Sequence, residues 1–180
     1  MAYVMSGDDA VPVPLVVDRH AAFEVFYAEH LRPVVALVHS LTGSRAAAED
    51  VAQDAFATAF RKWSTVGAYE DPGAWVRRVA VNRAVSRYRR VASEGRALLR
   101  LAGRRNEPVA MEPADEEFWR QVRALPARQA QAVALHYLED RSIAEIAAVL
   151  GVAEPTVRVH LHRGRIELAR RLGLDREEGR

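Results

Sequence analysis

The sequence predicts an all-α chain of two small helical domains joined by a flexible acidic linker, the second domain carrying a helix-turn-helix. Three observations carry this expectation. Apolar residues recur at helical spacing through most of the chain, and no segment sustains the apolar/polar alternation of a strand. Charge is segregated into two basic lobes with an acidic stretch between them. Glycines and prolines fall between the periodic segments, where helix ends and turns need them.

A chain of 180 residues that is 49% hydrophobic can build the core of one ordinary domain or of two small ones. No uncharged apolar run approaches the ~20 residues that a bilayer crossing needs. Residues 1–17 hold Asp8, Asp9, Pro12 and Pro14 and no basic segment, unlike a secretory signal, so the expected compartment is cytoplasmic. Cysteine is absent, which excludes disulfides, thiol nucleophiles and cysteine-ligated zinc. The net charge of +2 conceals the segregation. Residues 75–105 carry ten arginines, Arg77 and Arg78 among them, against Glu94 alone. Residues 106–119 carry Glu107, Glu112, Asp115, Glu116 and Glu117 with no basic residue. Residues 154–171 carry five arginines against Glu154 and Glu167. Lys62 is the only lysine. A guanidinium fork can hold phosphate oxygens or a guanine edge bidentately, as an ammonium cannot.

In chain order, Phe23, Phe26, Tyr27, Val34, Leu37, Val38 and Leu41 mark a first helix, with Pro33 as a kink or fresh start and Gly43 as its end. A second helix is expected over 44–63. Ala48, Val51, Ala55, Phe56, Ala59 and Trp63 share its core side, and Asp50, Gln53, Asp54 and small Ala57 lie on the other. Residues 64–73, with Gly67, Tyr69, Asp71 and Pro72, are expected to form a loop. A third helix comes next over 74–90, packing Val81, Val85 and Tyr88 and turning Arg83, Arg87 and Arg90 outward. Asn82 sits at the border, where a side chain can be held by packing and still reach a ligand. Pro108 and Pro113 are expected to interrupt any helix through the acidic stretch, which becomes the linker.

Beyond it, Phe118, Val122 and Leu125 open a new apolar pattern, and Pro126 suits the first turn of a helix reaching about Leu138. Ser142 and Glu145 are spaced as a capping box for a short helix that packs Ile143, Ile146, Ala147 and Leu150 and stops at Gly151. A last helix over 156–172 turns Val157, Leu161, Leu168 and Leu172 inward and its arginines outward. The expected division is a tail at 1–17, a first domain at 18–101, a linker at 102–117 and a second domain at 118–175. Residues 142–163 have helix-turn-helix spacing, with Gly151 in the turn and a basic second helix.

Three motifs, in this order, resemble the extracytoplasmic-function (ECF) sigma factors, and the resemblance covers about residues 23 to 172. Ala48-Glu49-Asp50-Val51-Ala52-Gln53-Asp54-Ala55-Phe56 is similar to the family's helix that docks on the clamp helices of the largest subunit of core RNA polymerase. The resemblance thereby assigns Asp50, Gln53, Asp54 and Ala57 to polymerase binding. Ala74-Trp75-Val76-Arg77-Arg78-Val79-Ala80-Val81-Asn82-Arg83 is similar to the helix that reads and opens the −10 element. It implies −10 contacts from Asn82, Arg83, Arg87 and Arg90, with Tyr69 of the preceding loop walling the base pocket. Leu125-Pro126, Ile146-Ala147 through Gly151, and Thr156-Val157-Arg158 are similar to the domain that reads the −35 element. Thr156, Arg158, His162 and Arg163 are its candidate contacts. The implied partners are core RNA polymerase, promoter DNA and an anti-sigma factor, often membrane-anchored. The acidic linker, by the same resemblance, would thread the polymerase cleft. No cofactor, metal or small-molecule substrate is implied.

The physical chemistry of each motif agrees with its assignment. Two carboxylates on one outer stripe suit a basic groove on a partner, although on a lone helix they would be an ordinary solvated face. Strand opening needs positive charge for phosphates and a pocket that replaces the stacking lost by a flipped base. The chain departs from the family at Ala153, where a Ser often caps the last helix, at Pro155 in place of a common Gly, and at His160 in place of a common Arg. His160 and His162 diverge by about 200° on a helix and cannot chelate a metal together. The motifs G-x-S-x-G, G-x-x-x-x-G-K and H-E-x-x-H do not occur, so the expected function is non-enzymatic. A stand-alone helix-turn-helix regulator is the alternative. The sequence ends soon after the last helix, so regulation is expected to come from other proteins.

Overall fold

The computed structural model describes residues 19–98 and 113–174, and among these it contains helices and no strand. Residues 1–17 and the linker acids Glu107 and Glu112 lie outside the described residues. The helices are α1 (Arg19–Thr42), α2 (Arg45–Arg61), α3 (Trp63–Val66), α4 (Pro72–Leu98), α5 (Pro113–Arg123), α6 (Ala127–Tyr137), α7 (Ile143–Leu150) and α8 (Glu154–Leu172). α1, α2 and α4 pack together as a first module, and α5 to α8 as a second.

Helix α1 runs through Pro33 instead of restarting there. Proline removes one backbone donor, but Val34, Leu37, Val38 and Leu41 are buried on the next turns and hold the helix in place. Gly43 adopts φ 67° and Ser44 caps α2, its hydroxyl accepting from the Ala47 amide at 3.3 Å. α2 ends at Arg61 with Lys62 as its cap, two residues short of the expected end, and Trp63 opens the short α3, which takes up residues 64–66 expected in a loop. α4 begins two residues earlier than expected because Asp71 accepts from the Ala74 amide at 2.7 Å, leaving Pro72 in the first turn where its missing N–H costs nothing.

The acidic stretch requires a correction. Pro113 does not interrupt a helix; it opens α5, and the expected domain boundary between 117 and 118 falls inside that helix. Asp115 and Glu116 lie in its first turn, where carboxylates face the positive end of the helix dipole. Glu116 and Glu117 are further paired with Arg123 and Arg120 of the same helix.

In the second module, α6 is buried on most sides: Ala130, Gln131, Ala132, Val133, Ala134 and Leu135 are all inside, as expected of a helix surrounded by α1, α7 and α8. The Ser142–Glu145 capping box is present in full. Gly151 succeeds α7 in the left-handed conformation, φ 65°, which an L side chain rarely adopts. Gly164, inside α8, lets that helix cross α6 closely, because a Cβ there would stand 3.0 Å from Val133. Ala153 is the N-cap of α8 and supplies no side-chain bond, while Pro155 sits in the first turn.

One apolar core continues through both modules. Polar contacts also join them. Arg77, assigned by charge to the basic lobe, is buried, and its Nε donates to both carboxylate oxygens of Glu139 at 2.9 and 2.7 Å. Gln131, 2% exposed, donates from Nε2 to the Val81 carbonyl at 3.2 Å and to Asn82 Oδ1 at 3.3 Å. Arg123 donates to the Ser40 carbonyl at 3.4 Å. The Arg78 guanidinium rests on Gly151 so closely that a Cβ on the glycine would overlap it. Two charges withdrawn from water recover their hydration only in good geometry, so the Arg77–Glu139 pair fixes how the modules sit more than it adds stability.

Two measurements check this account of the helix ends. Ala153→Ser supplies the missing cap of α8 and raises stability by about 0.5–1 kcal/mol in urea unfolding. Hydrogen bonds from the Ser142 amide and hydroxyl, then from Arg141, lower the Glu145 carboxyl from its ordinary 4.5 to about 2. A depressed carboxyl stabilises the fold above its unfolded value, so this contribution is full above pH 4.5 and disappears as the pH falls through about 2. Protection of the α7 amides from hydrogen exchange falls over that interval, and Glu145→Gln removes the dependence.

Candidate polymerase and nucleic-acid interface

The second helix presents Asp50, Gln53, Asp54 and Ala57 as one exposed stripe, because Ala48, Val51, Ala52, Ala55, Phe56 and Ala59 take up its inner side. Phe60, 45% exposed, continues the stripe by one turn. It is not legible from the sequence because Phe60 also packs on Phe23, with ring centroids 5.0 Å apart, and an aromatic at that spacing is ordinarily core. Between α1 and α2 lies a groove of about 470 Å³, lined by Tyr27, Leu31, Val35 and Ala36 and bordered by Gln53.

The stripe is not electrostatically isolated. Arg87 Nη2 stands 3.1 Å from Asp50 Oδ2, and Arg83 Nη1 stands 4.0 Å from Asp54 Oδ2. Arg83 Nη2 also donates to Thr58 Oγ1 at 3.2 Å. The only cation within the α2 motif region, Arg45, is taken by Glu49 at 2.8 Å. The Asp50 and Asp54 carboxylates are well exposed and the two arginine side chains partly so, with Arg83 Nη1 itself buried, so each pair contributes only about 0–1 kcal/mol.

Where α4 passes α2 there is a cavity of about 570 Å³ lined by Val51, Asp54, Asn82, Arg83, Ser86, Arg87 and Arg90. Four of the five residues expected at the −10 element therefore meet at one place. Tyr69, 45% exposed in the turn before α4, does not line it. Trp75 packs against the core. The cavity can hold phosphates on three guanidinium groups and a base edge on the Asn82 amide.

The third set lies on α8. Thr156, Arg158, His162 and Arg163 are exposed, and Arg158 donates to Glu154 Oε2 at 3.3 Å. Val159 and Ile166, 44% and 55% exposed, share the stripe of His162 and Arg163. Sequence periodicity does not single them out, because it assigns apolar residues inward, and they suit contact with a thymine methyl in a major groove. Burial, then the charges of Arg128 and Arg163, lowers the pKa of His160 from 6.5, so this side chain is neutral at neutral pH and does not replace the charge of an arginine.

The chain matches the family description "Sigma-70 region 2" over residues 26–94 and "Sigma-70, region 4" over residues 115–174. It is 32% identical over 160 residues to the ECF RNA polymerase sigma factor SigM of Mycobacterium tuberculosis, covering 87% of this chain and 79% of that protein. To SigE of Mycolicibacterium smegmatis it is 32% identical over 153 residues, covering 78% and 57% respectively. Among solved structures, the sigma factor RpoE from Bartonella quintana, crystallised with the anti-sigma factor NepR, matches with a TM-score of 0.63 at 26% identity, covering 86% of this chain and 98% of that one. The chain belongs to the ECF RNA polymerase sigma factors. A stand-alone helix-turn-helix regulator is not favoured, because the likeness extends over both modules. No helix among the described residues is long and apolar enough to cross a membrane.

The geometry of the seam gives a measurable expectation. If Arg87 holds a promoter phosphate, Arg87→Ala lowers the dependence of DNA affinity on salt by about one unit of log–log slope. A salt titration of the holoenzyme on promoter DNA reads this directly.

Proposed function

We propose that this sigma factor fastens to core RNA polymerase through Asp50, Gln53, Asp54 and Ala57, opens the −10 element with Asn82, Arg83, Arg87 and Arg90, and reads the −35 element with Thr156, Arg158, His162 and Arg163. The observation that carries the reading is the seam between α2 and α4, where the carboxylate stripe and the arginine-lined cavity adjoin. A factor that must hand opened DNA to an enzyme needs the enzyme's docking site beside its own DNA pocket. Asn82 captures an unstacked base by its amide while the arginines hold the backbone. On α8, the basic face enters the major groove of the upstream duplex, with Thr156 near the helix start for phosphate. Tyr69 borders the path of the opened strand from the turn before α4.

In domain terms, the first module, within 18–101, carries docking and opening, and the second, taken from α5 through residue 175, carries upstream recognition. The acidic stretch between them occupies the polymerase cleft. Within that stretch Glu116 and Glu117 are paired with Arg123 and Arg120 of α5. The protein catalyses nothing itself and acts in the cytoplasm with the polymerase. An anti-sigma protein is its regulator, in keeping with the relative crystallised with one.

Reconstitution with core polymerase tests the whole. Asp50→Arg or Asp54→Arg lowers core affinity by about tenfold or more, since each replaces attraction to a basic groove by repulsion; unchanged affinity would remove the stripe from the docking surface. Asn82→Ala relaxes base preference at one −10 position by about 1–3 kcal/mol without altering core binding, read by sequencing the initiated transcripts.

A further inference from the structure

We propose that Arg61, at the end of α2, and Arg83 of α4 hold one backbone phosphate of the −10 DNA between them, with Thr58 as the positioning residue that sets the pair; this rests on the −10 role given above to Arg83. The Thr58 hydroxyl lies between α2 and α4. It donates to the Asp54 carbonyl one turn back at 2.7 Å, which fixes its proton and leaves its lone pairs for other donors. Those lone pairs accept from Arg83 Nη2 at 3.2 Å and from Arg61 Nη2 at 3.1 Å. Two guanidinium groups from different helices therefore converge on a single neutral oxygen.

Such an arrangement is short of negative charge. Like charges this close repel, and a hydroxyl dipole does not offset two full charges. Among the described residues no ion pair engages Arg61, whose hydrogen bond goes to Thr58. Arg83 Nη1 is buried without a hydrogen-bond partner, and Asp54 Oδ2, at 4.0 Å, is too far to be one. The helix dipole does not account for Arg61. An arginine drawn to the C-terminus of α2 would bond the last carbonyls, whereas this one points back a turn, to Thr58. Nor does the docking stripe account for it. Arg61 follows Asp54 and Ala57 along the same line of α2, and a groove basic enough to draw Asp50 and Asp54 repels an arginine. A phosphodiester supplies what is missing, because one phosphate accepts charge-assisted bonds from two guanidinium forks at once. Arg83 also lines the cavity that holds Asn82 and Arg87, so a phosphate on its Arg61 side continues the same backbone path across the end of α2.

Promoters retained by the holoenzyme from host genomic DNA supply the probe. Each phosphate of the −10 region is replaced in turn by an uncharged methylphosphonate, and affinity is measured with preassembled holoenzyme at saturating core polymerase. Arg61→Ala is expected to weaken binding to the unmodified promoter about fivefold or more and to lower the log–log salt slope by about one unit. At one methylphosphonate position the Arg61→Ala loss disappears, and at that same position so does the Arg83→Ala loss. Thr58→Val, which removes the hydroxyl and keeps the branched shape, weakens binding about threefold, and Thr58→Ser restores the parent affinity. Unchanged affinity in Arg61→Ala, a loss that no single neutral phosphate cancels, or different cancelling positions for the two arginines would overturn the shared site. A Thr58→Ser variant as weak as Thr58→Val would overturn the positioning role. Failure of the parent holoenzyme to retain any promoter is a separate outcome, and it would overturn the −10 assignment itself.

Discussion

Helix α4 has to divide a single circumference among three faces, and the remainder of the structure is arranged about that constraint. Val76, Ala80, Val81 and Ala84 are fully buried and tie it to α1 and α2. A second stripe is given to α6 and α7, and a third, with Arg83, Arg87 and Arg90, borders an open cavity. At about 100° per residue each face receives roughly one residue per turn. The core face is therefore built from small side chains, which allow the helix to lie close to its neighbours without claiming more of its perimeter.

Electrostatics obey the same geometry. A helix this rich in arginine repels itself, and the two carboxylates of α2 relieve part of that repulsion at 3.1 and 4.0 Å. The acids assigned to polymerase docking and the bases assigned to DNA are thus one network. Water around the carboxylates keeps it weak, which leaves Asp50 and Asp54 open to a larger charged surface. Glu139 and Arg77 show the opposite regime, with both charges out of water and their orientation fixed.

Local signals are legible in the sequence, and signals that depend on distant residues are not. The capping box at Ser142 and Glu145, the left-handed glycines at 43 and 151, and the carboxylate stripe of α2 are set by spacings within a turn or two. Pro113 misleads because a proline that opens a helix and one that breaks it differ only in the residues on its C-terminal side, and the acids there mask the apolar pattern of α5. Arg77 counts among the exposed arginines by charge alone because its partner lies 62 residues away. Gln131 carries no signal, since a single amide in an apolar run does not disturb the period. Four of the five −10 candidates converge on one cavity, while Tyr69 stands away from it, since its position depends on a turn that helical periodicity does not specify.

Gly151 closes α7 and also receives the Arg78 guanidinium, so one position answers to two unrelated demands. The backbone there must be left-handed, and the space where a side chain would begin is already filled from the other module. Shortening Arg78 would lift only the second demand. The tolerance of position 151 to change is therefore written partly at position 78, while its left-handed backbone restricts it whatever side chain stands there.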